Sequence, residues 1–598
     1  MTSQAFDNAA QLRKLKISRR RFVEGLGAGG ILASLGPLSL PGSARAATGE
    51  VPSLSGMQFD LSIASHAVSF TGIPGMATLV NGSLPAPTLR WRQGDAVTIR
   101  VRNELAEPTS IHWHGILLPA NMDGVPGLSF HGIMPGETFT YQFSVRQNGT
   151  YWYHTHSGFQ EQTGLYGALV IEPSDADPFA YERDHVILLS DWSDLDPSEI
   201  YSLLKKQPDY FNYNQPTFRD FIRDAEDQGF RAAMSDRLAW ARMRMNRSDI
   251  ADVGGSTYTY LMNGTTPAGN WTGLFQPGER VRLRFINGSA MTYFDVRIPG
   301  LSMTVVAADG QNVHPVTVDE FRIGVAETLD VIVFPTGSDA FTIFAQSMDR
   351  SGFARGTLAV HSGLAAEVPE LDRVVYLTMA DMGHDAMSHS DAAAGGGAPV
   401  DHAAMGHSMP AQTDEHLGHT DQASMQAHPS SEAGNPGVDM QAMVPSARLA
   451  DSGIGLRSNG RRVLTYADLK SLFPDPDGRD PVRKIELHLT GHMGRYMWSF
   501  DGIKFSDSDP ILLRYGERVR IELVNDTMME HPIHLHGLWS DIEDEGGAFQ
   551  LRKHTVSMPP GTKRSYRVTA DALGRWAYHC HLLYHMEAGM FREIRVEG

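Results

Sequence analysis

The chain has 598 residues, enough for about four domains of ordinary size and far more than a small stapled scaffold. Its 51 Lys+Arg against 69 Asp+Glu give a net charge of -18, which repels a phosphate backbone and leaves no basic stripe, so no nucleic-acid partner is expected. The single cysteine, Cys580, closes no intramolecular disulfide and is too little thiol for an iron–sulfur cluster or a Cys-rich zinc site.

Residues 1–46 read as an address. Lys and Arg at 13, 14, 16, 19, 20, 21 and 45 face only Asp7 and Glu24, and the weakly apolar run Gly25–Leu40 ends near the small-residue site Ala44-Arg45-Ala46. Ser18-Arg19-Arg20-Arg21-Phe22-Val23 resembles the twin-arginine export signal, which implies a chain that crosses the membrane already folded and becomes periplasmic. The run is broken by five glycines and Pro37, too short and too polar to stay in a bilayer, so no membrane anchor is expected after signal cleavage.

Three stretches then repeat one pattern, a glycine opening an alternating strand that ends in Asn: Gly94–Asn103, Gly278–Asn287 and Gly516–Asn525. Each is followed by a second strand signature, at Gly136–Phe143, Ala326–Val333 and Gly561–Val568. The pattern predicts an all-β chain of three sandwich domains, at 47–178, 179–370 and 456–598. The middle domain carries an insertion near 196–250, where Phe218–Met245 has helical spacing. Residues 371–455 read as a flexible linker. Within it, Met379–Met443 holds seven histidines and eight methionines among Ala, Gly, Ser and Asp. With almost no branched or aromatic residues it cannot bury enough surface to fold alone, and clusters such as Met405-Gly-His-Ser-Met409 suit a transient copper-binding tether.

Chemistry concentrates in four strings: His112-Trp-His114, His154-Thr-His156, His531-Pro-Ile-His534-Leu-His536, and His579-Cys580-His581-Leu-Leu-Tyr-His585-Met-Glu-Ala-Gly-Met590. Residues two apart on a strand share a face, so each His-x-His pair can pinch one metal centre. Cys580 points away from His579 and His581, so one strand can join two different sites. One thiolate, two imidazoles and a weak axial thioether form the blue-copper set, and Cys580, His585 and Met590 can supply three of those four ligands, with His531 completing it. The remaining eight imidazoles call for a cluster of about three metals. Aligning the repeats superimposes the paired imidazoles of the first and last domains, whereas Thr109, Thr155, Gln160 and Leu165 stand where His531, Cys580, His585 and Met590 stand. The matching stretch of the middle domain, Phe344–Gly352, has no imidazole pair, which predicts a spacer and scaffold.

These strings resemble the signature of the multicopper oxidases, over essentially the whole mature chain. The resemblance extends to the copper-resistance oxidases of bacterial envelopes, through His579–Met590 and the linker position. It implies three cupredoxin domains, which are Greek-key β-sandwiches, and four copper ions. His531, Cys580, His585 and Met590 match the type 1 ligands, His112 and His534 the type 2 ligands, and His114, His154, His156, His536, His579 and His581 the type 3 pair. It also implies that electrons pass from a reductant through Cys580 to the cluster, where O2 is reduced to water. Asp123 resembles the family's proton-supplying acid, while Met586 stands where relatives often carry a second acid and Glu587 follows it.

The shared motifs do not separate donors. The export signal and the Met/His-rich segment favour Cu(I), oxidised to Cu(II) in copper resistance, since soft thioethers bind Cu(I). The alternatives are a laccase-like oxidase of small organic, phenolic reductants and a copper-sequestering protein. Periplasmic copper-binding proteins are the macromolecular partners this reading implies.

Overall fold

The three Gly-to-Asn repeats form the same strand three times over. In the computed structural model, which describes residues 51–243, 245–337, 340–384 and 425–598, they are Ala96–Asn103, Val281–Asn287 and Arg518–Asn525. Each pairs antiparallel with the strand of the second signature, at Thr138–Ser144, Thr328–Val333 and Lys563–Thr569. On its other side each has a parallel neighbour, at Gln58–Val68, Arg183–Ser193 and Arg483–His492.

The recurrent asparagine has a physical reason. Asn103, Asn287 and Asn525 are fully buried. The amide of Asn103 donates to the carbonyls of Glu107 and Ile133, that of Asn287 to Thr292 and Ile323, and that of Asn525 to Met529 and Met558. Each Oδ1 accepts from the backbone N–H two residues on. One side chain thus satisfies three backbone groups that burial would otherwise orphan, and it fixes the loop leading into the next strand. In the first and last domains that next strand carries histidines.

Six sheets result, two per domain. The second and third domains share one topology, a six-stranded sheet over a five-stranded one, whereas the first has four strands over five. The first-domain repeat strand alternates, burying Val97, Ile99 and Val101, whereas the middle-domain strand Val281–Asn287 is buried on both faces. The cupredoxin-like, mostly β architecture is the one the repeats predict.

The insertion holds helices Pro197–Lys206, Phe218–Gln228 and Phe230–Met243. Asp196 caps the first, and Thr217 with Asp220 forms a capping box on the second. The helical stretch from Phe218 is split in two at Gly229, whose φ of +91° ends one helix and starts the next. Among the described residues no helix is long and apolar enough to cross a membrane.

The two ends of the Met/His-rich stretch pack against the body of the protein. Leu377, Met382, Met440, Ala442 and Leu449 are buried, and the Val444 N–H donates to the Gly383 carbonyl, tying the outgoing end to the returning one. These flanks, unlike the centre, contain branched and aromatic residues such as Val374, Val375, Tyr376 and Val438. Of the tether expected over 379–443, residues 385–424 lie outside the described residues, as does the signal peptide expected at 1–46.

Candidate metal centre

In the first domain the strand His112–His114 pairs with Gly149–His154 so that His112 faces His154. In the last, His531–Leu535 pairs with Gly574–Cys580 so that His534 faces His579. The two domains therefore present equivalent imidazoles in equivalent register, and they meet face to face. His112 stacks on His536 with centroids 3.9 Å apart, and His114 stacks on His534 at 3.7 Å. The same exchange relates His154 and His581, at 4.8 Å, to His579 and His156, at 5.2 Å. Eight buried or nearly buried imidazoles form a cage with approximate twofold symmetry, half from each domain.

Within the cage the ring nitrogens gather into groups. His154 Nε2 lies 3.4 Å from His114 Nδ1 and 3.3 Å from His581 Nε2. His536 Nε2 lies 3.0 Å from His579 Nε2, with His156 beside both. His112 and His534 each anchor Nδ1 on a backbone carbonyl, of Asp123 at 2.7 Å and of His554 at 2.6 Å. A ring that donates from Nδ1 carries its lone pair on Nε2, directed here into the cage.

The donor set fits metal ions and little else. Nε2 of His112, His156 and His534 and Nδ1 of His581 are buried with no hydrogen-bond partner, an arrangement that costs about 1–3 kcal/mol per atom unless something accepts the lone pair. Burial, then neighbouring imidazoles, holds His114, His154, His156, His534, His536 and His581 well below the usual histidine range. Burial pulls His579 down to about 4. The cage is a set of neutral lone-pair donors.

Three further acceptors orient these rings. Asp123, just after the short turn Ala120–Met122, takes His536 Nδ1 on Oδ2 at 2.9 Å, joining first domain to last. Its Oδ1 is buried, accepts no hydrogen bond and lies 3.3 Å from His112 Nδ1. Glu161 Oε2 sits 2.6 Å from His154 Nδ1, and burial with the charge of Asp191 pushes its carboxyl well above the usual range. Thr555 Oγ1 lies 3.2 Å from His114 Nε2. The crossing between sheets that bears His554 and Thr555 is held by middle-domain Asp309, which accepts both backbone N–H groups.

On the far side of the strand, Cys580 Sγ lies 3.5 Å from His531 Nδ1 and 3.9 Å from His585 Nδ1. Met590 is fully buried, its carbonyl accepting from the Cys580 N–H and its N–H donating to His585. Burial pushes the Cys580 thiol up and His531 down, so a thiolate here calls for a bound cation. The outer ring nitrogens are claimed by Thr527, 2.7 Å from His531 Nε2, and by Asp252, 2.7 Å from His585 Nε2. Trp498 stacks on His585 at 4.0 Å. Glu587 is exposed at the end of the helix Leu583–Glu587.

All twelve metal-ligand candidates thus fall in two adjoining groups, with Asp123 against the larger. Sequence reasoning missed Asp252, Glu161 and His554. Glu161 lies seven residues beyond His154 between two glutamines, a weak local signal, whereas nothing around Asp252 marks it.

A three-domain cupredoxin-like fold with a histidine cage between its outer domains and a cysteine strand behind it defines an oxidase class, and the chain belongs to the multicopper oxidases. Family models described as multicopper oxidase match residues 62–176, 183–362 and 478–598. The chain is 60% identical to "Copper resistance protein A" of Escherichia coli, over 98% of this chain and 100% of that one. It is also 60% identical to "Copper resistance protein A" of Pseudomonas syringae pv. tomato, over 97% and 99%. A laccase from Botrytis aclada shares the fold with a TM-score of 0.59 at 20% identity, over 91% of this chain and 88% of that one. The protein is an oxidoreductase of copper chemistry.

Proposed function

We propose that the protein is a periplasmic cuprous oxidase, coupling four one-electron oxidations of Cu(I) to Cu(II) to the reduction of one O2 to two waters, in the service of copper resistance. The observation that carries this is Cys580, joined through one strand to both ligand groups: its sulfur beside His531 and His585, its neighbours His579 and His581 in the cage. Four coppers fit the donors. His531, Cys580, His585 and Met590 would hold the type 1 ion, His112 and His534 the type 2 ion, and the gathered nitrogens of His114, His154 and His581 with the adjoining rings of His156, His536 and His579 the type 3 pair. Bound copper supplies one-electron redox chemistry at the cysteine and four-electron reduction of O2 in the cage. The chain's own residues do the rest. Asp123 fixes His536 through Oδ2 and would supply a proton-transferring carboxylate beside the cage, its Oδ1 buried against His112. Glu161 and the carbonyls of Asp123 and His554 select the tautomers of His154, His112 and His534.

The choice of Cu(I) rests on the Met/His-rich stretch and on the names of the relatives at 60% identity. The export signal supports the periplasmic assignment, and copper-binding proteins of that compartment are the natural donors. The test is oxygen consumption by copper-loaded protein with Cu(I) and with a phenol, beside Cys580→Ser and a deletion of residues 385–424. Cu(I) turnover that is lost with Cys580 and weakened by the deletion, phenol oxidation surviving the deletion, is the expected result. Efficient phenol oxidation with poor Cu(I) turnover makes the protein a laccase. Loss of bound copper beyond four on deletion, without an oxidase effect, makes it a copper store.

A further inference from the structure

A second constellation of ligands lies outside the cage and the cysteine site. His488, on the strand Arg483–His492, and Asp526, just beyond Arg518–Asn525, are brought together because these strands pair in parallel with Leu489 opposite Asn525. Onto them folds the returning end of the Met/His-rich stretch, which contributes His428 and, four residues on, Glu432. Asp526 Oδ2 lies 2.6 Å from His488 Nδ1 and 3.2 Å from His428 Nδ1. Glu432 reaches both rings, Oε2 at 3.4 Å from His428 Nδ1 and Oε1 at 3.6 Å from His488 Nδ1. The four ligand atoms all lie within 4.8 Å of one another.

We propose that His428, Glu432, His488 and Asp526 form a further metal site, separate from the copper centres of the oxidase, that takes one divalent transition-metal ion, Cu(II) in preference to Zn(II). Glu432, His488 and Asp526 are 3%, 0% and 0% exposed, and Glu432 Oε1 has no hydrogen-bond partner. A buried carboxylate oxygen left unpaired, facing an imidazole nitrogen, is a position a cation satisfies. His384, at the outgoing end of the same stretch, also has an unpartnered buried Nδ1 and lies within the field of Asp526. Two imidazoles and two carboxylates, without thiolate or thioether, favour a borderline divalent ion over Cu(I), and among such ions Cu(II) binds nitrogen and oxygen donors most tightly.

Without metal the cluster balances its charge with protons. Burial opposes protonation of His428, but hydrogen bonds to Asp526 and Glu432 carry it to about 10. His488 is likewise raised, with Glu486 3.3 Å from its Nε2. A bound ion replaces those protons and clamps the end of the Met/His-rich stretch to the third domain. Asp526 directly precedes Thr527, whose hydroxyl contacts His531, so the cluster is linked through the backbone to the cysteine site. The binding itself is independent of which donor the oxidase uses.

The test compares the copper-loaded full chain with His428→Ala and Glu432→Gln. After Cu(II) loading and gel filtration, each variant is expected to hold one copper fewer per chain than wild type, with the blue absorption of the cysteine site retained. Zn(II) titrated calorimetrically into protein carrying copper in the oxidase centres alone, the extra copper having been stripped with a chelator, should show one site in wild type that both variants lose. Equal metal counts and equal Zn(II) isotherms in wild type and variants overturn the proposal and leave the cluster as a protonated ion-pair buttress. Should a variant lose its blue absorption, wild type still decides: Zn(II) binding without accompanying proton release, measured in two buffers of different ionisation enthalpy, refutes the site.

Discussion

Replacing Asp252 by Asn should raise the reduction potential of the cysteine site by about 60–130 mV. Asp252 Oδ2 is 2.7 Å from His585 Nε2 and also accepts from the Tyr496 hydroxyl at 2.7 Å, wholly away from solvent. Asn keeps the size and an acceptor oxygen but removes the charge. A buried hydrogen bond to a charged group is worth about 1.5–3 kcal/mol, and the carboxylate favours the oxidised, more positive state of the site it faces. For a one-electron couple about 59 mV corresponds to a tenfold change, or about 1.4 kcal/mol, which gives the quoted range and its upward sign. The assay is a redox titration of the blue absorption on protein with its full copper content. A potential indistinguishable from wild type would refute the inference that the middle domain tunes this centre.

Asp123→Asn removes the carboxylate charge facing His536 and His112, so oxygen consumption should fall by about 10²–10⁴-fold with the blue absorption unchanged, as stopped-flow reduction and an oxygen electrode would show. Glu161→Gln loosens the tautomer of His154, and copper retention against a chelator should weaken about 10–100-fold; retention equal to wild type would show Glu161 to be inert. The copper-free protein should lose stability in acid. His579 and His554 titrate near 4 in the folded chain, against 6.5 unfolded, so the unfolded state binds more protons in between. Their contribution is therefore complete above about pH 6.5 and is lost as pH falls towards 4. Urea midpoints measured across that window should decline, and less steeply in His554→Gln.

The legible part of this protein is what local periodicity and short spacing encode. The Gly-to-Asn repeats announced three equivalent strands because alternation reports one buried face, and the pairing of His-x-His strings could be aligned between domains because a strand has a period of two. The bipartite reach of Cys580 followed from the same geometry. Helical spacing after Phe218 was also visible, although Gly229 breaks it. Composition described the Met/His-rich stretch only on average, and so hid that His428, Glu432 and Met440 dock on the third domain.

What the sequence by itself determined, then, is the set of candidate ligands and their division between two groups, since each group is written in strings a few residues long. Tertiary structure alone decided how the groups are completed and held. The middle domain, which has no imidazole pair, supplies Asp252 to His585 across 333 positions, and Asp309 steadies the segment of His554 beside the cage across 245. Asp123 meets His536 across 413. Such contacts arise where separate sandwiches pack, and a carboxylate that will face a partner hundreds of residues away carries no local mark distinguishing it from one that faces water.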